Sequence, residues 1–213
     1  SQWSVAQHDG TVILKYKVYG DRGDGTYNQI DRTHAHLNMP ATLLFAQDYA
    51  KQSASVRFDL PDPSWAVATQ LQLQADGSYM APDLQYLMDS PVELSAFSQR
   101  SWTVADQQSQ TTIQLVLHHQ GTEQQLDLFV QKAKAVVAEQ YKIFGEYPKF
   151  DYGNYVFIAD YLPHVDGDGM EHRNSTILTD ERSLEEANFA QLETLSHEFF
   201  HAWNVERLRP ADL

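Results

Sequence analysis

Residues 111–145 read TTIQLVLHHQGTEQQLDLFVQKAKAVVAEQYKIFG, and the period of the apolar positions changes inside this stretch. At its start Ile113, Leu115 and Leu117 fall on every second residue, so they share one face of an extended chain. Beyond Gly121 the spacing lengthens to three and four. Leu126, Phe129, Val130, Ala133, Val136 or Val137, Tyr141 and Phe144 trace the apolar stripe of an amphipathic helix. Thr122 with Gln125 three residues on makes a capping box at its start. Gly145 and Pro148 end it, since glycine takes the left-handed position after a helix and proline cannot continue one. A strand followed by a long capped helix predicts an α+β chain.

Toward the amino terminus, short strand patterns dominate. In residues 11–19, Val12, Leu14, Tyr16 and Val18 alternate with Lys15 and Lys17, and residues 21–25 turn the chain. Further strands are expected over 55–60 and 65–73, where Trp65, Val67, Thr69 and Leu71 share a face and Asp76-Gly77 signals a turn. Helical spacing is hinted at only over 40–49. Residues 1–120 therefore read as a β-sandwich or saddle, and 121–213 as a second domain. In that second part YVFIA, residues 155–159, suits an interior strand, residues 164–169 a loop with tight turns, and 170–178 a further strand. Ser183 with Glu186 forms another capping box, opening a helix with the stripe Phe189, Leu192, Leu195, Phe199 and Ala202 or Trp203.

With 213 residues, 42% hydrophobic and 12% aromatic, the chain has enough apolar material for a packed core. A formal charge of −14 repels nucleic-acid phosphates and anionic lipid heads, so neither nucleic acid nor membrane is expected as a partner. No apolar run reaches the roughly 18 to 20 residues of a spanning helix. The absence of cysteine excludes disulfides and thiolate metal sites and leaves the compartment open. Both ends read as those of a fragment, because the chain opens on Ser1 and stops three residues after Pro210.

Inside the second capped helix lies HEFFH, residues 197–201. Positions four apart on a helix differ by about 40° around the axis, so His197 and His201 project from one face and are set to bind one metal ion. Two imidazoles suit zinc. Glu198 sits at the edge of that face, within reach of a water on the metal, as a general base requires. Zinc lowers the pKa of such a water toward about 7, producing a nucleophile for a peptide carbonyl. A catalytic zinc takes three protein ligands. One helical alternative puts histidine six residues beyond His201, but Arg207 stands there. Glu206 is too near on the same helix, so the third ligand is expected beyond Leu213 and the fragment is expected to bind zinc weakly, with little peptidase activity of its own.

GMEHRNST, residues 169–176, precedes HEFFHAWNVERLRP, residues 197–210, and the pair resembles the glycyl aminopeptidase family, metallopeptidases that carry a PDZ domain. WAVAT, residues 65–69, and DSPVE, residues 89–93, look like that family's β-rich amino-terminal domain. The resemblance implies a gluzincin similar to aminopeptidase N, with the first part of a thermolysin-like α/β catalytic domain after the β domain. It implies zinc on His197, His201 and a glutamate about nineteen residues beyond His201, and Glu198 as general base. Gly169, Met170 and Glu171 resemble the exopeptidase motif, whose glutamate pairs with the substrate's α-ammonium and fixes the distance from amine to scissile bond. Asp168-Gly169 stands where the family commonly has two glycines, and His172 where aminopeptidase N has asparagine. A catalytic tyrosine and the PDZ domain are implied past Leu213.

The leading expectation is therefore an aminopeptidase releasing small residues, Gly or Ala, from peptides. A zinc endopeptidase and a non-catalytic β-sandwich binding module with a degenerate peptidase remnant are the alternatives. Asp166 and Asp168 read as turn residues, because position five of a calcium loop would be Met170. His34, His36, His118 and His119 have no third partner at ligand spacing and read as structural. Tyrosines and tryptophans of the first half read as β-core residues, and Arg207 and Arg209 as cations suited to a helix carboxyl end.

Overall fold

The computed structural model describes residues 3–107, 109–208 and 210, and Arg209 lies outside the described residues. In chain order the elements are β1 (Gln29–Ile30), β2 (His34–Leu37), α1 (Met39–Thr42), β3 (Ala54–Val56), β4 (Ala66–Thr69), β5 (Gln72–Leu73), β6 (Tyr79–Ala81), α2 (Leu84–Met88), β7 (Val92–Ser95), β8 (Ser98–Ala105), β9 (Gln110–His119), α3 (Glu123–Phe144), β10 (Asn154–Tyr161), β11 (Asp168–His172), β12 (Ser175–Asp180) and α4 (Leu192–His201). The architecture is α+β.

Three sheets organise the chain. The first has strand order β1-β2-β7-β4, all antiparallel, and a small one has order β3-β6-β5. The third, five-stranded, has order β11-β12-β10-β9-β8, with β10 parallel to both β9 and β12. Parallel central strands are buried on both faces, which is why the continuous apolar run 155–159 sits in the middle of the sheet. On one face Ile113, Leu115, Leu117, Phe157 and Leu178 pack against Leu126, Phe129 and Ala133 of α3 and Leu195 and Phe199 of α4. Each large apolar side chain removed from water there contributes roughly 1.5–3 kcal/mol. On the other face Val116, Val156 and Ile158 meet Ala68 of β4, so the first sheet closes the sandwich.

The capping box of α3 is complete: Gln125 N donates to Thr122 Oγ1, and Thr122 N donates to Gln125 Oε1. Gly145 ends α3 at φ 78°, a left-handed value that glycine adopts without strain. The change of period at Gly121 coincides with the β9–α3 junction, and the five-stranded sheet draws strands from both sides of it.

Four local expectations are corrected. Residues 11–19 form no strand; they pair with no ladder among the described residues, and Val12, Leu14 and Tyr16 lie exposed, so their alternation has no sheet to face. The helix hinted at over 40–49 is instead the single turn α1 and a separate short turn, Gln47–Tyr49. The stretch 170–178 is two strands, because Arg173 and Asn174 turn β11 back on β12 as an antiparallel hairpin. The Ser183–Glu186 box exists, with Ser183 N on Glu186 Oε2 at 2.9 Å. It caps only a short turn, however, because Asn188 and Phe189 take left-handed φ of 46° and 64° and α4 begins afresh at Leu192. Phe189 leaves the helical path to stack on Phe129.

Candidate active site

The helix that carries HEFFH is fixed from below. Leu195 and Phe199 are fully buried against the sheet, Trp203 stacks on Phe144 of α3 at 4.5 Å, and Gln140 of α3 donates to Ser196 O at 2.7 Å. With that face committed to the core, His197 is exposed and His201 half-buried on the opposite side. Their Nε2 atoms lie 3.2 Å apart. Two nitrogens at the about 2.0–2.1 Å reach of a tetrahedral zinc are separated by about 3.3–3.4 Å, so the pair fits one ion. His201 Nδ1 lies 2.8 Å from Asn204 O. A carbonyl only accepts, so Nδ1 carries the proton and the Nε2 lone pair is left for a metal.

Glu198 occupies a different environment from its histidine neighbours. It is 5% exposed, and its Oε2 is buried with no hydrogen-bond partner among the described residues. Burial pushes its carboxyl up to about 7; the nearby Glu171 carboxylate adds to the rise and His201 opposes it. A carboxyl of that kind exchanges a proton near neutrality. Ligand atoms of Glu171, Glu198 and His201 all lie within 4.8 Å of one another.

β11 packs against α4, setting Gly169 against Glu198 and Glu171 within 4.8 Å of His201. Gly169 sits directly over Glu198: a Cβ there would fall 2.8 Å from both Glu198 Cγ and Cδ. Met170 and Glu171 are half-buried and line a cleft of about 1490 Å³, whose other walls include Tyr86, Asp89, Asp151 and Arg207. His197, Glu198, His201, Gly169 and Glu171 thus lie together at α4, while Met170 lines the cleft beside them.

Sequence spacing missed what holds the hairpin. Asp89, on the loop before β7, accepts from Arg173 N at 2.9 Å and lies 2.8 Å from His172 Nδ1. Gln70 accepts from Asn174 N at 2.9 Å and from Ser175 Oγ at 2.8 Å, and donates to Asp89 O at 2.7 Å. The β-rich part therefore grips the β11–β12 turn, next to Glu171. The only local signal was DSPVE itself. Asp168 is the first residue of β11, in register with Thr179, rather than a turn residue, and it accepts from Gly25 N at 3.0 Å. Arg207 donates to Ala202 O and Lys149 O, closing the carboxyl end of the helix.

Among the described residues no helix is long and apolar enough to cross a membrane. A search of curated proteins returned no match. Among solved structures, the aminopeptidase N family protein from Idiomarina loihiensis is similar, with 21% identity and a TM-score of 0.62 over 86% of this chain and 32% of that one. An M1 zinc metallopeptidase from Deinococcus radiodurans is similar at 13% identity and a TM-score of 0.42, over 83% of this chain and 41% of that one. The chain spans about a third of the length of the first of these. Residues 1–96 match the model of the peptidase M61 N-terminal domain and residues 190–213 that of the M61 glycyl aminopeptidase. The two matches, which belong to one peptidase family, take in more than half of the sequence and include the HEFFH helix, and the chain belongs to the M61 glycyl aminopeptidase family.

Proposed function

We propose that this chain supplies the amino-terminal β-rich domain and the first part of the active site of a zinc-dependent gluzincin aminopeptidase. The observation that carries the reading is the convergence of Glu171, Glu198 and His201 within 4.8 Å, beside two imidazole nitrogens 3.2 Å apart. His197 and His201 would hold the ion through Nε2, and a glutamate in sequence after Leu213 is proposed as the third ligand. Zinc, when bound, supplies a Lewis acid that polarises the peptide carbonyl and acidifies water.

The chain's own residues divide the rest of the work. Glu198 takes a proton from the attacking water and returns it to the departing amine, a task suited to a carboxyl whose affinity for protons is raised by burial. Glu171 pairs with the α-ammonium of the substrate. A charge pair made at a fixed distance from the metal ligands selects the first peptide bond and orients it, which favours one residue removed per cut. The β11 backbone at Gly169 packs over Glu198, which is 5% exposed. Gly or Ala at the substrate amino terminus is the proposed preference, following the family.

The test uses the full-length enzyme. Removing zinc with a chelator should abolish hydrolysis of an alanyl or glycyl peptide, and zinc should restore it. Glu198→Gln should hold zinc as well as the parent while losing turnover. Undiminished hydrolysis by the chelated enzyme, or by Glu198→Gln, would remove the proposal.

A further inference from the structure

A second group of metal-ligating side chains lies where the first sheet packs on the five-stranded one. Along β9 and β10 the residues facing that junction are Val116 and His118, and Val156, Ile158 and Asp160. His118 and Asp160 are register partners in the parallel ladder. Opposite them, His36 pairs with Glu93 and His34 with Ser95 across β2 and β7, so His34, His36 and Glu93 share one face. An apolar sandwich thus has a polar centre built from four strands.

The arrangement is not that of a satisfied hydrogen-bond network. His34 and Glu93 are fully buried and Asp160 is 1% exposed. Both Glu93 oxygens, Asp160 Oδ1 and His34 Nε2 have no hydrogen-bond partner among the described residues. Burial, with Asp160 beside it, pushes the Glu93 carboxyl well up, while the surrounding imidazoles hold Asp160 down against its burial, so ionising both carboxyls together calls for a cation. The distances describe a coordination shell. His34 Nδ1 lies 3.8 Å from Glu93 Oε1 and 3.7 Å from Asp160 Oδ1; His118 Nδ1 lies 3.8 Å from Glu93 Oε1 and 3.6 Å from Asp160 Oδ1. His34 Nδ1 and His118 Nδ1 are hydrogen-bonded at 2.8 Å, a contact that a shared ion would replace, and ligand atoms of all four residues fall within 4.8 Å of one another. Ligands of a tetrahedral ion with bonds of about 2.0–2.2 Å are about 3.3–3.6 Å apart, so small adjustments close the shell.

We propose that His34, Glu93, His118 and Asp160 hold a second divalent cation, distinct from the HEFFH site, and that it clamps the β-rich sheet to the catalytic one. Two imidazoles with two carboxylates and no thiolate match zinc. With four protein ligands and almost no solvent access the site is structural, leaving no open position for substrate. Two neighbours complete it. His36 Nδ1 stands 2.9 Å from Asp160 Oδ2, and Asp31 Oδ2 lies 3.9 Å from the outer His34 Nε2.

The experiment uses the whole 213-residue chain with His197→Ala and His201→Ala, so that the helix pair takes up no metal and the outcome is independent of the peptidase reading. After incubation with zinc and exhaustive dialysis, metal analysis should find one zinc per chain, and X-ray absorption at the zinc edge should show four nitrogen or oxygen neighbours. Adding Glu93→Gln, which keeps the side-chain shape, or His118→Asn at the most accessible ligand, should cut retained zinc at least tenfold. A folded double-substituted chain that retains no zinc, a six-coordinate absorption spectrum, or zinc retention unaffected by both further changes would overturn the proposal.

Discussion

Gly169 on β11 and Glu198 on α4 touch so closely that a side chain at 169 would overlap the carboxylate: an added Cβ would lie 2.8 Å from Glu198 Cδ. The backbone of the edge strand is thus the roof over the candidate base, and β11 and the HEFFH helix are one packed unit. Gly169→Ala forces β11 away or turns Glu198 aside. Overpacking of this kind costs about 1–3 kcal/mol, and a displacement of about 1 Å at a catalytic group costs on the order of 100-fold in rate. The full-length variant is expected to lose kcat/KM by about that factor while its Tm falls only modestly.

Glu198 also links pH to stability. Its carboxyl titrates higher in the folded chain, at about 7, than an ordinary glutamate. The stability contributed by its protonated form is therefore fully present below the unfolded pKa and is lost as pH rises through about 7. In metal-free protein, Glu198→Gln should match the parent at about pH 4 and exceed it by about 2–3 kcal/mol at about pH 9. Denaturant unfolding at the two pH values reads the difference.

Asp89 holds the turn beside Glu171 through His172 and the Arg173 amide. Asp89→Ala leaves a buried imidazole and an amide without their acceptor, at about 1–3 kcal/mol. Hydrogen exchange should quicken in β11 and β12 rather than in α3. In the full-length enzyme KM for free-amine peptides should rise more than kcat falls.

Much of this was readable in order along the chain. The strand β9, the capped helix α3 and the interior strand β10 announce themselves through period and, for α3, capping, because local backbone preference and global burial agree there, whereas the HEFFH helix shows only the period of its apolar stripe. Asn188 and Phe189 hid the start of α4: a left-handed pair inside a helical pattern is stabilised by Phe129, sixty residues earlier in sequence. Residues 11–19 carry a strand's alternation without a ladder, since pairing belongs to the partner as much as to the segment. The buried group of His34, Glu93, His118 and Asp160 was invisible for the same reason. Its members come from four strands far apart in sequence, and spacing rules recognise only ligands that share one element.

Leu195 is fully buried under α4 and touches both α3 and the sheet. Leu195→Ala should lower stability by about 2–5 kcal/mol. Because the helix then sits over a cavity, zinc affinity at His197 and His201 should drop with it, as calorimetric titration of the full-length variant would record.

The amine-recognition role of Glu171 is the claim on which the aminopeptidase reading turns. The direct measurement compares kcat/KM for free and amino-blocked peptides in the full-length enzyme and in Glu171→Ala. A charge-assisted pair is worth about 1.5–3 kcal/mol. Activity on free-amine peptides should therefore fall roughly 10- to 100-fold, with the slow rate on blocked peptides unchanged. An equal loss on both substrates would contradict the account.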